Sequence, residues 1–309
     1  MNERSAGART GWLSRWRPGR APARSRIGIV VDSASCLPEE FSHAPDLIEL
    51  TIPIIVDDEV QDGDTQALLM GLAMGKAVRT SRPAPGQFVS AYTRLQEAGC
   101  KEIVSVHLSG ALSGTFEAAR LAASQVTIPV HVIDTRTAAA PIGFAVAEMA
   151  RARAAGADVE QLLSLARQAE KYVVYFAVPS LETLRRGGRI SAVSGVLGTL
   201  LNVKPILGIN DGSIVALEKP RSFERAQGRL VTLARTRAAA CQGPVRIGVM
   251  HFGAAELAQE VAAELSDIGE EAVLVQSLPA VLAAHTGIGV LAICVAGLPA
   301  EEEPSSEAT

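Results

Sequence analysis

The sequence predicts an α/β protein of two domains, each with a mainly parallel or mixed sheet flanked by helices. Short apolar runs rich in Val and Ile recur along the chain of 309 residues, as expected of buried strands. Helical patterns lie between several of these runs, and this alternation favours sheets with helices on their faces. Hydrophobic residues make up 48% of the chain and aromatic residues only 4%, so small aliphatic side chains must form the core.

Eight apolar runs are too short for helices and are predicted to be strands. In chain order they are residues 27–31, 47–56, 102–107, 130–133, 172–178, 245–250, 272–276 and 290–295. The turn Asn210-Asp211-Gly212-Ser213 further predicts a hairpin between residues 206–209 and 214–217.

Two helices are predicted from apolar residues that repeat on one face, over residues 87–98 and around residues 159–166. The residues of these faces are Phe88, Tyr92, Leu95, Val159, Leu162, Leu163 and Ala166. A glycine-dense segment, residues 179–220, separates two series of such elements. We therefore expect a first domain over residues 27–170 and a second over 171–298. The Arg-rich arm 1–26 and the acidic tail 299–309 are predicted to be disordered extensions.

Charge and composition exclude several classes of protein. The net charge is −4 although the arm is basic, so the body of the chain is acidic and should not attract nucleic acid. No stretch reaches the ~20 apolar residues of a membrane helix, and the arm lacks the apolar core of a secretory signal. We therefore expect a cytoplasmic protein that is not integral to the membrane. The four cysteines and five histidines lack metal-site or disulfide spacing, so no metal or other cofactor is expected.

The most informative motif is His107-Leu-Ser-Gly-Ala-Leu-Ser113-Gly114-Thr115-Phe116, between a predicted strand and an alanine-rich helix. Free backbone N–H groups, a helix dipole and two hydroxyls at this helix start are the components of a small anion site. The spacing around Ser113 differs from the nucleophile elbow of hydrolases. A plain helix cap is the alternative interpretation of Ser113.

Thr80 and Ser81 precede two prolines, Pro83 and Pro85. A rigid loop of this kind can hold hydroxyl donors towards a carboxylate or a phosphate. The same residues also occur at ordinary helix entrances, so both interpretations stay open.

Three further motifs are weaker. Asp32 and Ser33 follow the first strand, where ligands bind in open sheets but where helix caps are also found. The turn ending in Arg189 places three guanidinium groups around two glycines, which suits phosphate or an acidic partner but also a plain exposed turn. His285 is predicted to be a loop histidine before the last strand. The glycines that follow it are not a dinucleotide fingerprint, because a strand comes next and not a helix.

Taken in order, six motifs over about residues 27–298 resemble those of DegV proteins. They are Asp32-Ser33 with Leu37-Pro38, Thr80-Ser81-x-Pro83, Leu112-Ser113-Gly114-Thr115, Leu184-x-x-Gly-Gly-Arg189-Ile190-Ser191, Leu197-Gly198 through Lys204-Pro205, and His285-Thr286-Gly287. The resemblance implies a bacterial lipid-binding protein with a DegV-like two-domain fold and a ligand tunnel between the domains. It implies that a long-chain fatty acid is buried there and presented to a separate ATP-dependent fatty acid kinase subunit, with no chemistry by this chain.

The resemblance also implies roles for single residues. Thr80 or Ser81 and Ser113, with Gly114 at the helix start, would bind the fatty-acid carboxylate, and His285 would stand close to it. Arg189 would serve the acyl-phosphate or the kinase surface. Two features depart from the family pattern: Ile288 stands where the family commonly has proline, and the Arg-rich arm has no usual counterpart.

Two other functions remain open at this point. One is an enzyme for a small carboxylated or phosphorylated substrate, using Ser113, His285 and Arg189 as a dispersed catalytic set. The sequence has no Walker lysine motif and no local nucleophile–base pair to favour it. The other is a regulatory or protein-interaction module that uses the Arg189 turn or the basic arm.

Overall fold

The fold is taken from a computed structural model, which describes residues 26–41, 44–61, 64–190, 203–269 and 271–297. The Arg-rich arm up to residue 25, the acidic tail, and the motif residues Ser191, Leu197 and Gly198 lie outside the described residues.

The elements of the first half follow one another along the chain. They are β1 (Ile27–Asp32), β2 (Leu47–Leu50), β3 (Ile54–Val56), β4 (Glu59–Gln61), α1 (Thr65–Ala73), β5 (Val78–Thr80), α2 (Pro85–Glu97), β6 (Glu102–His107), α3 (Thr115–Ala123), β7 (Val130–Asp134), α4 (Ala140–Ala154) and α5 (Val159–Gln168).

The elements of the second half begin with β8 (Val173–Ala177). The others are α6 (Glu182–Arg186), β9 (Ile206–Asn210), β10 (Ser213–Glu218), α7 (Phe223–Ala239), β11 (Val245–His251), α8 (Ala255–Glu264), β12 (Leu274–Ser277), α9 (Ala280–Thr286) and β13 (Leu291–Gly297). Short 3-10 turns lie at Glu39–Phe41 and Ala169–Lys171.

The first sheet has four parallel strands in the order β2-β1-β6-β7. Helices α2 and α3 cover one face, and α4 and α5 cover the other. Every residue of β1 is buried, because a strand covered on both faces has no solvent side. Phe88, Tyr92 and Leu95 form the buried face of α2, as their spacing predicts.

The second sheet has six strands in the order β10-β9-β8-β13-β11-β12. It is mixed: β11 and β12 are parallel, whereas the other neighbours are antiparallel. Helices α7 and α8 pack on one face, and the other face is turned towards α4. The glycine-dense segment 179–220, predicted to separate two series, supplies β9 and β10 to this sheet. We propose the domain boundary near residue 170, since the first sheet lies before it and the second after it.

Two predictions about elements are wrong. Residues 47–56 form two strands in different sheets, with β2 in the first and β3 in a small third sheet of order β4-β3-β5. The chain leaves the first sheet because the N–H of Ile52 donates to Ser33 Oγ (2.9 Å) and Pro53 has no N–H to donate. His285 lies in helix α9 and not in a loop, since the helix begins after Pro279 and ends at Thr286, before Gly287, whose φ is +81°.

The Asp32 side chain forms a buried hydrogen-bond network in the first sheet. Its carboxylate lies 3.0 Å from His107 Nδ1 and accepts the N–H groups of Ala34 and Leu108, each at 3.0 Å. On the other side of the ring, His107 Nε2 lies 2.6 Å from Ser105 Oγ. Asp32, His107 and Ser105 are fully buried, and this network joins β1 to β6.

Within the described ranges, no helix combines the length and apolarity needed to cross a membrane.

Arg153 ties α4 to the edge of the first sheet. Its side chain is 5% exposed and donates to the carbonyls of Ile27 (3.2 Å), Asp46 (3.0 Å) and Pro45 (2.5 Å). A buried guanidinium is tolerated here because three carbonyl oxygens replace its water.

We expect Arg153→Met to lower the free energy of unfolding by about 3 kcal/mol, because the aliphatic stem is kept while buried carbonyls lose their donor. Urea denaturation followed by circular dichroism measures this. Arg120→Met is the matched control, since Arg120 is exposed and pairs with Glu117 on its own helix. Equal effects of the two substitutions would contradict the role given to Arg153.

Candidate functional site

A pocket of about 800 Å³, including the part open to solvent, lies where the two halves of the chain meet. Its wall is mostly apolar. The apolar lining residues are Ile52, Leu108, Leu112, Ala138, Ala139, Val174, Phe176, Leu184, Ile209, Ile214, Leu278, Val281, Leu282, Val290 and Ala292.

The first half contributes segments that follow strand ends, because Ile52 comes after β2, Leu108 after β6 and Ala138 after β7. Crevices beyond the carboxyl ends of parallel strands are the usual ligand sites of α/β proteins. The second half closes the pocket with side chains from β8, β9, β10, α9 and β13.

Five polar residues also line this pocket: Thr80, Ser113, Arg189, His285 and Thr286. They come from the end of β5, the loop before α3, the turn after α6, and α9. The fold therefore brings together residues that lie more than two hundred positions apart in the sequence, as the 2.8 Å contact of Thr80 Oγ1 with His285 Nε2 shows.

His285 is a neutral side chain at pH 7. Burial, with a smaller contribution from the nearby Arg189 guanidinium, lowers the pKa of His285 to about 4. A neutral ring has one donor and one acceptor nitrogen. Nε2 contacts Thr80, whereas buried Nδ1 has no hydrogen-bond partner among the described residues.

Ser113 lies one residue before Gly114, the N-cap of α3. Its hydroxyl is 2.8 Å from Thr115 Oγ1 and accepts the N–H of Thr115 at 3.3 Å. Ser113 thus orders the helix start and lines the pocket at once. Its bond to another hydroxyl, and not to His285, is not the nucleophile–base pair that the enzyme hypothesis needs.

Arg189 bridges two segments of the site. Its Nε donates to the carbonyl of Leu112 at 3.1 Å, and Nη1 donates to the carbonyl of Gly187 at 2.6 Å. The other two arginines of the turn, Arg185 and Arg186, are exposed and pair with Glu182. Of the three arginines of the turn, only Arg189 lines the pocket.

Two predicted residues lie outside the main pocket. Ser81 is exposed, and its hydroxyl donates to the carbonyl of Arg82 at 3.3 Å. Gly114 lines an adjoining crevice of about 650 Å³, including the part open to solvent, which shares Ser113 and Arg189 with the main pocket. The predicted residues brought to one place are therefore Thr80, Ser113, Arg189 and His285.

Sequence reasoning missed the part that the β9–β10 hairpin plays in the pocket. The hairpin was predicted from its turn, but no local signal shows that Ile209 and Ile214 line a cavity. Its tip is held by Ser109 Oγ, which donates to the carbonyl of Gly212 at 2.7 Å in a buried position. Asp211 at the same tip forms an ion pair with Arg136.

The described residues contain no group of three or more His, Cys, Asp or Glu side chains that could hold a metal ion.

Comparison with known proteins identifies the family of the chain. The family model described as "Uncharacterised protein, DegV family" matches residues 26–297. A DegV domain-containing protein of Streptomyces coelicolor is 37% identical over 276 residues, covering 87% of this chain and 98% of the relative.

Two solved structures are similar throughout. A Thermus thermophilus DegV family protein, described by its fatty acid binding, has a TM-score of 0.82 and 29% identity, covering 88% of this chain and 100% of that one. DegV of Bacillus subtilis, described as a fatty acid binding protein, has a TM-score of 0.80 and 29% identity, covering 88% of this chain and 99% of that one. The family model, the relative and the two-domain fold agree, and the chain belongs to the DegV family.

Proposed function

We propose that this protein buries one long-chain fatty acid in the pocket between its two halves and presents the carboxylate to a separate ATP-dependent kinase subunit. The observation that carries the proposal is the composition of the pocket wall: fifteen apolar residues and a small cluster of polar ones around His285.

The energetics of a fatty acid suit this wall. An acyl chain has about fifteen methylenes, and each contributes ~0.8 kcal/mol when removed from water. The tail therefore needs apolar contact along its length, whereas the carboxylate needs only a few hydrogen-bond donors.

In this proposal the hydroxyls of Thr80 and Ser113 and the neutral ring of His285 hold the carboxylate, next to the start of α3 at Gly114. Arg189 lies on the wall that the pocket shares with the adjoining crevice, and there it serves the acyl-phosphate or the kinase surface. The fatty acid binding described for the Thermus thermophilus and Bacillus subtilis relatives supports the choice of ligand. The protein would work in the cytoplasm, where a kinase subunit has access to ATP.

The first test concerns the bound ligand. We expect native mass spectrometry of the purified protein to reveal about one fatty acid per chain, and re-addition after delipidation to raise the melting temperature, because a ligand of the folded state stabilises it. A melting temperature that does not respond to fatty acids of several lengths would contradict the proposal.

The second test concerns the carboxylate. Ser113→Ala should weaken fatty-acid binding by about 1–3 kcal/mol, since a charged group loses one donor. Isothermal titration calorimetry and thermal melts on the same variant separate this effect from loss of helix capping. Ser124→Ala, at the exposed C-cap of the same helix, is the control and should leave affinity unchanged. Affinity within about twofold of wild type for Ser113→Ala, His285→Ala and their double variant would place the head group elsewhere.

The third test separates binding from transfer. Arg189→Ala should keep fatty-acid affinity within about threefold and lose phosphorylation by the cognate kinase subunit. Arg189→Lys should rescue poorly, because a point charge does not reproduce bidentate contacts to phosphate. Arg229→Ala removes an exposed arginine paired with Glu218 and serves as the control. Loss of binding and phosphorylation in equal measure, or of neither, is the result that would refute this role.

A further inference from the structure

Two neighbouring glycines after α6 are required for different reasons. Gly188 has a φ of +71°, a conformation that L residues rarely adopt, and a Cβ there would meet no atom within 4 Å. Gly187 has a φ of −73° and a ψ of −6°, which any residue adopts readily. The backbone therefore does not demand glycine at position 187.

Space demands it. A Cβ on Gly187 would overlap His285 Nδ1 and would lie 3.0 Å from Cε1 of the same ring and 3.3 Å from the carbonyl oxygen of Thr183. The ring cannot turn away without cost, because its Nε2 is held by Thr80 Oγ1 at 2.8 Å. The His285 ring thus occupies the space that a side chain at position 187 would need.

The same residue also holds Arg189. The carbonyl of Gly187 accepts from Arg189 Nη1 at 2.6 Å, and its N–H donates to the carbonyl of Thr183 at 2.9 Å. Gly187 is therefore fixed to α6 on one side and touches two of the polar side chains of the pocket on the other.

We infer that Gly187 is a positioning residue. The absence of a side chain leaves the space in which the His285 ring is held, and the Gly187 carbonyl orients the Arg189 guanidinium. The inference rests on the proposed function insofar as a fatty-acid carboxylate is the group that His285 meets. A methyl group at position 187 would push the ring off Thr80 while leaving the backbone conformation allowed.

A double-mutant cycle isolates this contact. Wild type, Gly187→Ala, His285→Ala and the double variant are delipidated and titrated with palmitate and oleate. Gly187→Ala should weaken binding about tenfold in the wild-type background and less than about twofold in the His285→Ala background, where the overlapping ring is gone. Gly228→Ala, in α7 where a Cβ meets no atom within 4 Å, is the matched control and should bind like wild type.

A second readout does not need a ligand. The ring ¹⁵N signals of His285 in the ligand-free protein should shift in Gly187→Ala and stay in place in Gly228→Ala. Unchanged signals with unchanged affinity would overturn the inference, and so would equal weakening in both backgrounds, which indicates general damage to the turn. A wild-type protein that binds neither fatty acid, with His285 signals that still shift, would refute the proposed function and leave the positioning role supported.

Discussion

Helix α4 is the element on which both halves of the molecule depend, because it is enclosed on nearly every side. Eleven of its fifteen residues are buried. Ile142 and Val146 pack in the core of the first sheet, whereas Ala140 and Phe144 pack in the core below the second. Gly143 lets the helix approach the chain after β1, since a Cβ there would overlap the carbonyls of Ser35 and Cys36. One small-residue helix thus fixes the spacing of two sheets, and the pocket lies beside its start.

The burial of α4 also explains why some elements could be predicted from the sequence and others could not. Strand β6 was predicted with the bounds that the structure has, and α2 and α5 followed from one-sided apolar faces. Helix α4 was not predicted, because a helix buried on nearly every side has too little exposed polar surface to produce a clear amphipathic period. The break at Pro53 was missed for a related reason. An apolar run continues through it, and only the tertiary bond from Ile52 to Ser33 shows where the chain changes sheets.

The candidate site was predictable to the extent that its residues belong to recognisable motifs. Thr80, Ser113, Arg189 and His285 were selected from the sequence, and the structure brings them to one pocket. Ser81 could not be told apart from Thr80, because which of two adjacent hydroxyls faces inward depends on how β5 meets α9. The apolar wall could not be predicted from the sequence for another reason. Its residues come from at least nine segments, and no single segment indicates that a cavity is present.

The central position of strand β13 in the second sheet has a consequence for folding. It is the last of the six strands in sequence, yet it lies in the middle, paired with β8 on one side and β11 on the other. During synthesis, β8 and β11 must therefore wait for a central neighbour that leaves the ribosome after them. Such long-range pairing makes folding slow and exposes unpaired edges for longer. Because Ala292 on β13 is part of the pocket wall, the cavity is completed only when the sheet closes, so a nascent chain has no finished site to fill.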